Sequence, residues 1–358
     1  MEFLTEYGLF LAKTLTLVLA VVFILSIIVA NASRHRGEGR HKGEIHVTKI
    51  NDELERLRDD LRHEVLDEDT LKAMAKADKK QDKADKKAQR KALKENIAEP
   101  ERKRVYVLEF DGDTHASEVE DLRHTITAVL EVARPELDTV MLKLESPGGM
   151  VHAYGLAASQ LARLRKHKIH LTICVDKVAA SGGYMMACIA DNLIAAPFAY
   201  IGSIGVLVQL PNIHRLLKDN KVDFEMITAG EYKRTLTTFG ENTEKDREKV
   251  QEEVDEMHQL FKNFIHEYRP SLDVGMVATG EVWSGTQALE KGLIDVVDTS
   301  DEWVVQQCQD SDVYEVVWEQ KRRITDRLSA LLEGSLAKGL QKGFFGWLQR
   351  AEKEKFFS

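Results

Sequence analysis

The sequence predicts an α/β fold for the middle of the chain, with a largely parallel sheet covered by helices on both faces. Three observations lead to it. Between residues 105 and 175, short β-branched and aliphatic runs alternate with longer segments of helical periodicity, the pattern of successive βαβ units. Two of the turns that follow strand candidates are rich in glycine and serine, as expected where a parallel sheet presents its carboxyl ends. The chain has 358 residues and is 43% hydrophobic, enough to bury a large core.

In chain order, the first feature is Thr14 to Ala30, TLTLVLAVVFILSIIVA, uncharged and almost wholly apolar. It is about long enough to cross a bilayer as a helix and has no polar face to present to water. Ala30-Asn31-Ala32 would suit a signal-peptide cleavage site, but Glu2 and Glu6 stand where such a leader carries positive charge. An uncleaved anchor over residues 1–33 is therefore expected. Arg34, His35, Arg36, Arg40, His41 and Lys42 follow at once, and the positive-inside rule then puts what comes next in the cytoplasm.

Residues 34–100 read as a charged helical extension. Ile50, Leu54, Leu57, Leu61 and Val65 recur at helical spacing and call for a partner surface. The lysine-rich run from Lys72 to Lys94 has no apolar stripe, and is expected to be a solvated tether that can touch anionic lipid headgroups. The net charge of -9 makes nucleic acid an unexpected partner for the main body. Cys174, Cys188 and Cys308 have no disulfide or metal-ligand spacing, and no metal or cofactor is expected.

The body, residues 101–312, begins after Pro100. Strands are predicted over Val105–Phe110, Thr139–Leu144 and Ile169–Val175, with helices over Glu118–Arg134 and Ala153–Lys166. Val222–Thr228 reads as a further strand, Asn242–Tyr268 as a long amphipathic helix, Thr286–Lys291 as a short helix and Leu293–Val297 as a strand, with Trp283 a core anchor. In the tail, 313–358, a strand over Val313–Trp318 precedes amphipathic helices from Ile324 to Phe357, suited to a subunit contact or a membrane interface.

Two glycine-rich turns carry the chemistry. In Val178-Ala179-Ala180-Ser181-Gly182-Gly183-Tyr184, one hydroxyl stands at a strand-to-helix turn among residues small enough to leave amides open to a carbonyl oxygen. Alone, the motif would serve equally as a helix capped by Ser181. Ser146-Pro147-Gly148-Gly149 supplies a second set of amides at another strand end, and the pair is what stabilising a tetrahedral oxyanion requires. A base is also needed. His152, His214 and Lys233 are the candidates, and a lysine serves only if its pKa falls from about 10.4 towards 7 through burial or nearby positive charge.

These motifs, together with Ile201-Gly202-Ser203-Ile204-Gly205-Val206, Gly230-Glu231-Tyr232-Lys233 and the segment Thr279 to Asp295, resemble the S49 signal peptide peptidase family over roughly residues 105–297. The likeness is to its short, membrane-anchored members. It implies a ClpP/crotonase-like fold and a serine endopeptidase with a Ser-Lys dyad. Ser181 would be the nucleophile and Lys233 the general base. The amides of Gly149 and Gly182 would line the oxyanion hole, and Ser203 would orient Lys233. It further implies hydrophobic or unfolded peptides, including remnant signal peptides, as substrates, the bacterial inner membrane as location, and a homo-oligomer that completes its sites in a ring. Better-known members work outside the cytoplasm, against the charge bias here. The competing readings are a crotonase-like acyl-CoA enzyme, which needs no nucleophilic serine, and a non-catalytic membrane scaffold.

Overall fold

The computed structural model describes residues 43–76 and 102–320, together with a few isolated positions before and between them. The expected membrane segment, the second half of the lysine-rich tether and the amphipathic tail beyond residue 320 lie outside the described residues. No helix among the described residues is long and apolar enough to cross a membrane. The chain divides into a body, Ile45–Trp318, and a second unit, 1–44 with 319–358, of which few residues are described.

Alternation of side chains along the strands builds the body. In β2 (Arg104–Asp111), Tyr106, Leu108 and Phe110 enter the larger hydrophobic cluster, while Val105 and Val107 point to a smaller one on the opposite face. β3 (Thr139–Glu145) and β4 (His170–Val175) repeat this, burying Leu142 and Ile173 on one side and Met141 and Cys174 on the other. A strand buried on both faces is what a parallel sheet sandwiched between helices requires. The larger cluster is closed by α2 (Val119–Val132) and α3 (Val151–Lys166), through Leu122, Ile126, Val129, Leu161 and Leu164. Each such fully buried aliphatic side chain contributes about 1.5–3 kcal/mol relative to exposure.

The main sheet has seven strands in the order β1-β10-β2-β3-β4-β6-β9, where β1 is Gly43–Lys49, β6 Asn192–Ala195, β9 Val296–Val297 and β10 Asp312–Gln320. All pairings from β10 to β9 are parallel. The sheet thus takes in β1 and β10, which the sequence assigns to the extension and the tail. Asn51 joins the two. It stands in the first turn of α1 (Ile50–Val65), donates to the carbonyls of Cys308 and Ser311 at 3.1 and 3.0 Å, and accepts the Val313 N–H at 2.8 Å. The partner expected for this amphipathic helix is therefore found for its first turn only, and Leu57, Leu61 and Val65 stay exposed.

A second, three-stranded sheet carries the site. It is built from β5 (Val178–Ala180), β7 (Tyr200–Gly202) and β8 (Val282–Ser284), with β5 and β7 parallel and β7 and β8 antiparallel. A bridge from Ser146 to Ala179 ties it to the end of β3. Trp283 is buried there, as expected of a core anchor, against the backbone of Gly202.

The strand expected over Val222–Thr228 is not formed. The segment alternates correctly but has no neighbouring strand among the described residues to take its backbone hydrogen bonds, and Phe224 packs on Phe239 with ring centroids 5.7 Å apart. The strand expected over Leu293–Val297 shortens to β9, because Leu293 and Ile294 are turned into the core ahead of it. The long helix is formed, as α6 (Glu244–Tyr268), with a capping box in which Thr243 and Asp246 exchange side-chain and backbone hydrogen bonds.

Candidate active site

Ser181 stands between β5 and α4 (Gly182–Ala187) with φ 53° and ψ −116°, a conformation that non-glycine residues rarely adopt. Its backbone holds it there. The Ser181 N–H donates to the carbonyl of Gly202 at 2.8 Å, and its carbonyl accepts the Met185 N–H at 3.0 Å. The side chain makes no capping hydrogen bond to α4, so the simple helix-cap role open to it from sequence is not the one it plays.

The turn after β3 lies directly against this serine. Gly148 has φ +86°, and a Cβ built on it would come within 2.8 Å of the Ser181 Cβ and 2.7 Å of the Gly182 nitrogen. No side chain fits between the two turns. The Gly148 N–H donates to Ser146 Oγ at 3.1 Å, and the Met150 N–H to the Thr114 carbonyl at 2.9 Å. Between them the Gly149 N–H has no acceptor among the described residues. Nor has that of Gly182, the first amide of α4, where the start of a helix leaves donors unpaired. The two amides named from the sequence are thus both without an acceptor among the described residues, as are the next amides of α4.

Ser203 follows β7 with φ 51°, its N–H donating to the Glu281 carbonyl at 2.6 Å. β5 and β7 pair Ala180 with Gly202, so Ser181 and Ser203 continue two neighbouring strands at equivalent positions, both with positive φ.

Lys233 makes no hydrogen bond to Ser181 or Ser203 among the described residues. It lies between α5 (His214–Asp219) and α6, in a stretch without regular secondary structure, and it is exposed. Its N–H donates to the Gly230 carbonyl at 3.2 Å. Around it, Glu231 pairs with Lys245 at 2.5 Å, and the Lys245 and Lys249 ammonium groups lie over the Tyr232 ring. The alternative bases are no better placed, since His152 and His214 are also away from full burial and neither hydrogen-bonds Ser181 among the described residues.

Sequence reasoning missed the support beneath the turns. Ser146 and Tyr154 are fully buried, and their hydroxyls meet at 2.5 Å. Tyr154 Oη donates on to the Asp113 carbonyl at 2.7 Å. Burial raises the phenol's pKa above its ordinary value, which keeps it a neutral donor. A tyrosine on the apolar face of a predicted helix gives no sign in the sequence of such a partner.

No cluster of side chains suited to a metal ion occurs among the described residues.

Comparison with known proteins bears on this site. Residues 2–161 match the model of the peptidase family S49 N-terminal region, and residues 163–313 that of peptidase family S49. The division falls inside α3, so the two amide-bearing turns come one from each matched region. The chain is 46% identical to the probable protease SohB of Haemophilus influenzae, over 93% of this chain and 94% of that protein. It is 45% identical to the probable protease SohB of Buchnera aphidicola subsp. Acyrthosiphon pisum, over 96% and 98% of the two chains. It is 30% identical to the putative protease MJ0651 of Methanocaldococcus jannaschii, over 51% of this chain and 59% of that one.

Proposed function

Because the chain belongs to peptidase family S49, we propose that it is a serine endopeptidase in which Ser181 is acylated by a peptide substrate and Lys233 moves the proton. The observation that carries this reading is Ser181 itself. A strained serine whose hydroxyl caps nothing, with the free amides of Gly149 and Gly182 on either side, has the make-up of an acyl-transfer centre.

In the proposed reaction the Ser181 Oγ attacks the scissile carbonyl carbon while a neutral Lys233 takes its proton. The carbonyl oxygen becomes an oxyanion and accepts from the two amides. Collapse expels the amine, which leaves with the proton returned by Lys233, and water then hydrolyses the acyl-enzyme by the same steps in reverse order. Ser203, adjacent to Ser181 across the β5–β7 ladder, is the proposed partner that orients the lysine amine. A neutral amine requires desolvation, and Lys233 is exposed in one chain. We assign its cover to a second copy of the chain.

Hydrophobic or unfolded peptides, among them remnants of signal peptides, are the proposed substrates. The proposed location is the bacterial inner membrane, with residues 14–30 as anchor and, from the basic residues after it, the body on the cytoplasmic side. The free glycine amides would serve an acyl-CoA enzyme equally well, but such an enzyme has no use for a strained nucleophile.

The test is hydrolysis of a fluorogenic hydrophobic peptide by the full chain. Ser181→Ala and Lys233→Ala are each expected to abolish turnover with an unchanged melting temperature, and a fluorophosphonate probe to label Ser181 in the wild type. Full turnover by Ser181→Ala, or labelling elsewhere, would overturn the assignment; turnover by Lys233→Ala alone would move the base to another residue.

A further inference from the structure

The two glycine turns that flank Ser181 rest on one side chain. Tyr154, in the first turn of α3, is fully buried, and a Cβ built on Gly182 would lie 2.4 Å from its Cγ and 2.8 Å from its Cβ and Cδ2. The backbone of Gly182 therefore sits on the tyrosine side chain with no room for another atom. The same tyrosine reaches the opposite turn through its hydroxyl. With its one proton given to the Asp113 carbonyl at 2.7 Å, which can only accept, the 2.5 Å contact with Ser146 is best satisfied as a hydrogen bond donated by Ser146 Oγ and accepted by Tyr154 Oη. Ser146 Oγ, its own proton committed, accepts the Gly148 N–H at 3.1 Å; the carbonyl of Gly112, at 3.5 Å, is the more distant alternative.

The result is a directed chain from Gly148 N–H through Ser146 and Tyr154 to the Asp113 carbonyl. With the Gly148 N–H occupied in this way and the Met150 N–H given to Thr114, the Gly149 N–H between them is left without an acceptor among the described residues. A buried chain in which every hydroxyl is both donor and acceptor favours the arrangement with the shorter contacts, and so holds the turn in one geometry.

We infer that Tyr154 is a positioning residue for the oxyanion site: its ring seats the Gly182 amide, and its phenol, through Ser146, fixes the turn that presents the Gly149 amide. The inference rests on the acyl-transfer reading above. Tyr154 touches no substrate. It acts on the reaction through two backbone donors whose placement, within a few tenths of an ångström, decides how well the oxyanion is held.

Its consequence is selective. Loosening the turn should weaken the transition state more than the ground state. The experiment uses the full chain and three variants, Tyr154→Phe, Ser146→Ala and the double variant. A peptide aldehyde is compared with the matching peptide alcohol; the aldehyde forms a hemiacetal with Ser181 whose oxygen takes the oxyanion position, and the alcohol binds the cleft without it. Tyr154→Phe, which keeps the ring, is expected to lower kcat and aldehyde affinity by about ten- to a hundred-fold, with KM and alcohol affinity within about two-fold of wild type. Ser146→Ala should do the same, and the double variant no more than the worse single one, because both cut the same chain.

Unchanged aldehyde affinity and kcat in either folded single variant would overturn the inference, as would equal losses for aldehyde and alcohol. If Tyr154→Phe does not fold, Ser146→Ala decides. Failure of the underlying reading is separable, because it would appear in the wild type as an aldehyde that binds no better than the alcohol.

Discussion

A serine at φ 53° costs about 1–3 kcal/mol of backbone strain, and Ser203, at φ 51°, is a second positive-φ serine at the equivalent end of the neighbouring strand. The cost is met by contacts that leave no alternative, chiefly the Ser181 N–H to Gly202 and the glycines packed against it. This makes the small residues testable one by one. Gly182→Ala places a methyl within 2.4 Å of the Tyr154 ring, so it should destabilise the protein by about 1–3 kcal/mol and reduce peptide hydrolysis at least a hundred-fold. Gly155, one position after Tyr154 in the chain, is a built-in control. A Cβ there meets nothing within 4 Å and the position is interior to α3, so Gly155→Ala should raise stability by about 0.5–1 kcal/mol with activity retained. Thermal melts and initial rates on the two variants check both, and an inert Gly182→Ala would mean that the turn is looser than its contacts imply.

At the level of elements, the long strands and helices were legible because their patterns are local. Tyr106, Leu108 and Phe110 alternate with Val105 and Val107 whatever they later pack against. The elements that form the site were not. β5, β7 and β8 are three residues each, too short for periodicity, and exist because β3 hands over to them at Ser146. Val222–Thr228 shows the reverse error, an alternating pattern without a neighbour to pair with. The glycine and serine turns of the candidate site were legible as turns because turn chemistry survives in sequence; the Tyr154–Ser146 contact was not, being made between elements.

The loop from α2 to β3 illustrates how an element boundary is secured, and carries a pH prediction. Asp138 is buried and takes the Arg134 guanidinium at 2.6 and 3.0 Å, with the N–H groups of Arg134 and Arg104 at 2.9 and 3.0 Å. Burial alone pushes its pKa up, but the hydrogen bonds and charge of Arg134 outweigh this and hold it below the ordinary aspartate value. A depressed folded-state pKa means that the stabilisation is complete above the unfolded pKa and is lost as pH falls through the folded one. Unfolding free energy should therefore decline from about pH 4 downwards. Asp138→Ala should cost about 3–5 kcal/mol at neutral pH, with a shallower acid limb, as followed by urea melts at several pH values. A parallel acid limb in the variant would show that other carboxylates govern it.

For the molecule as a whole, the proposed assembly turns on the exposed segment that bears Lys233. Residues 207–239 expose Leu207, Val208, Leu216, Val222, Met226 and Ile227, the last at 97% of its surface. If, as proposed above, a second copy of the chain covers this segment, the contact would bury exposed apolar surface together with the lysine proposed as a base. A lysine contributed to a neighbour's Ser181 has a consequence that no single-chain arrangement shares. Ser181→Ala and Lys233→Ala subunits, each inactive alone, should regain part of the wild-type rate when co-assembled, because some sites then receive both intact groups. Ile227→Asp, by placing a charge in the proposed contact, should shift the protein to smaller species in light scattering and lower hydrolysis in proportion, with its melting temperature nearly unchanged. Full activity from a monodisperse single chain would exclude the shared site, and absence of rescue in proven mixed assemblies would return Lys233 to its own subunit's serine.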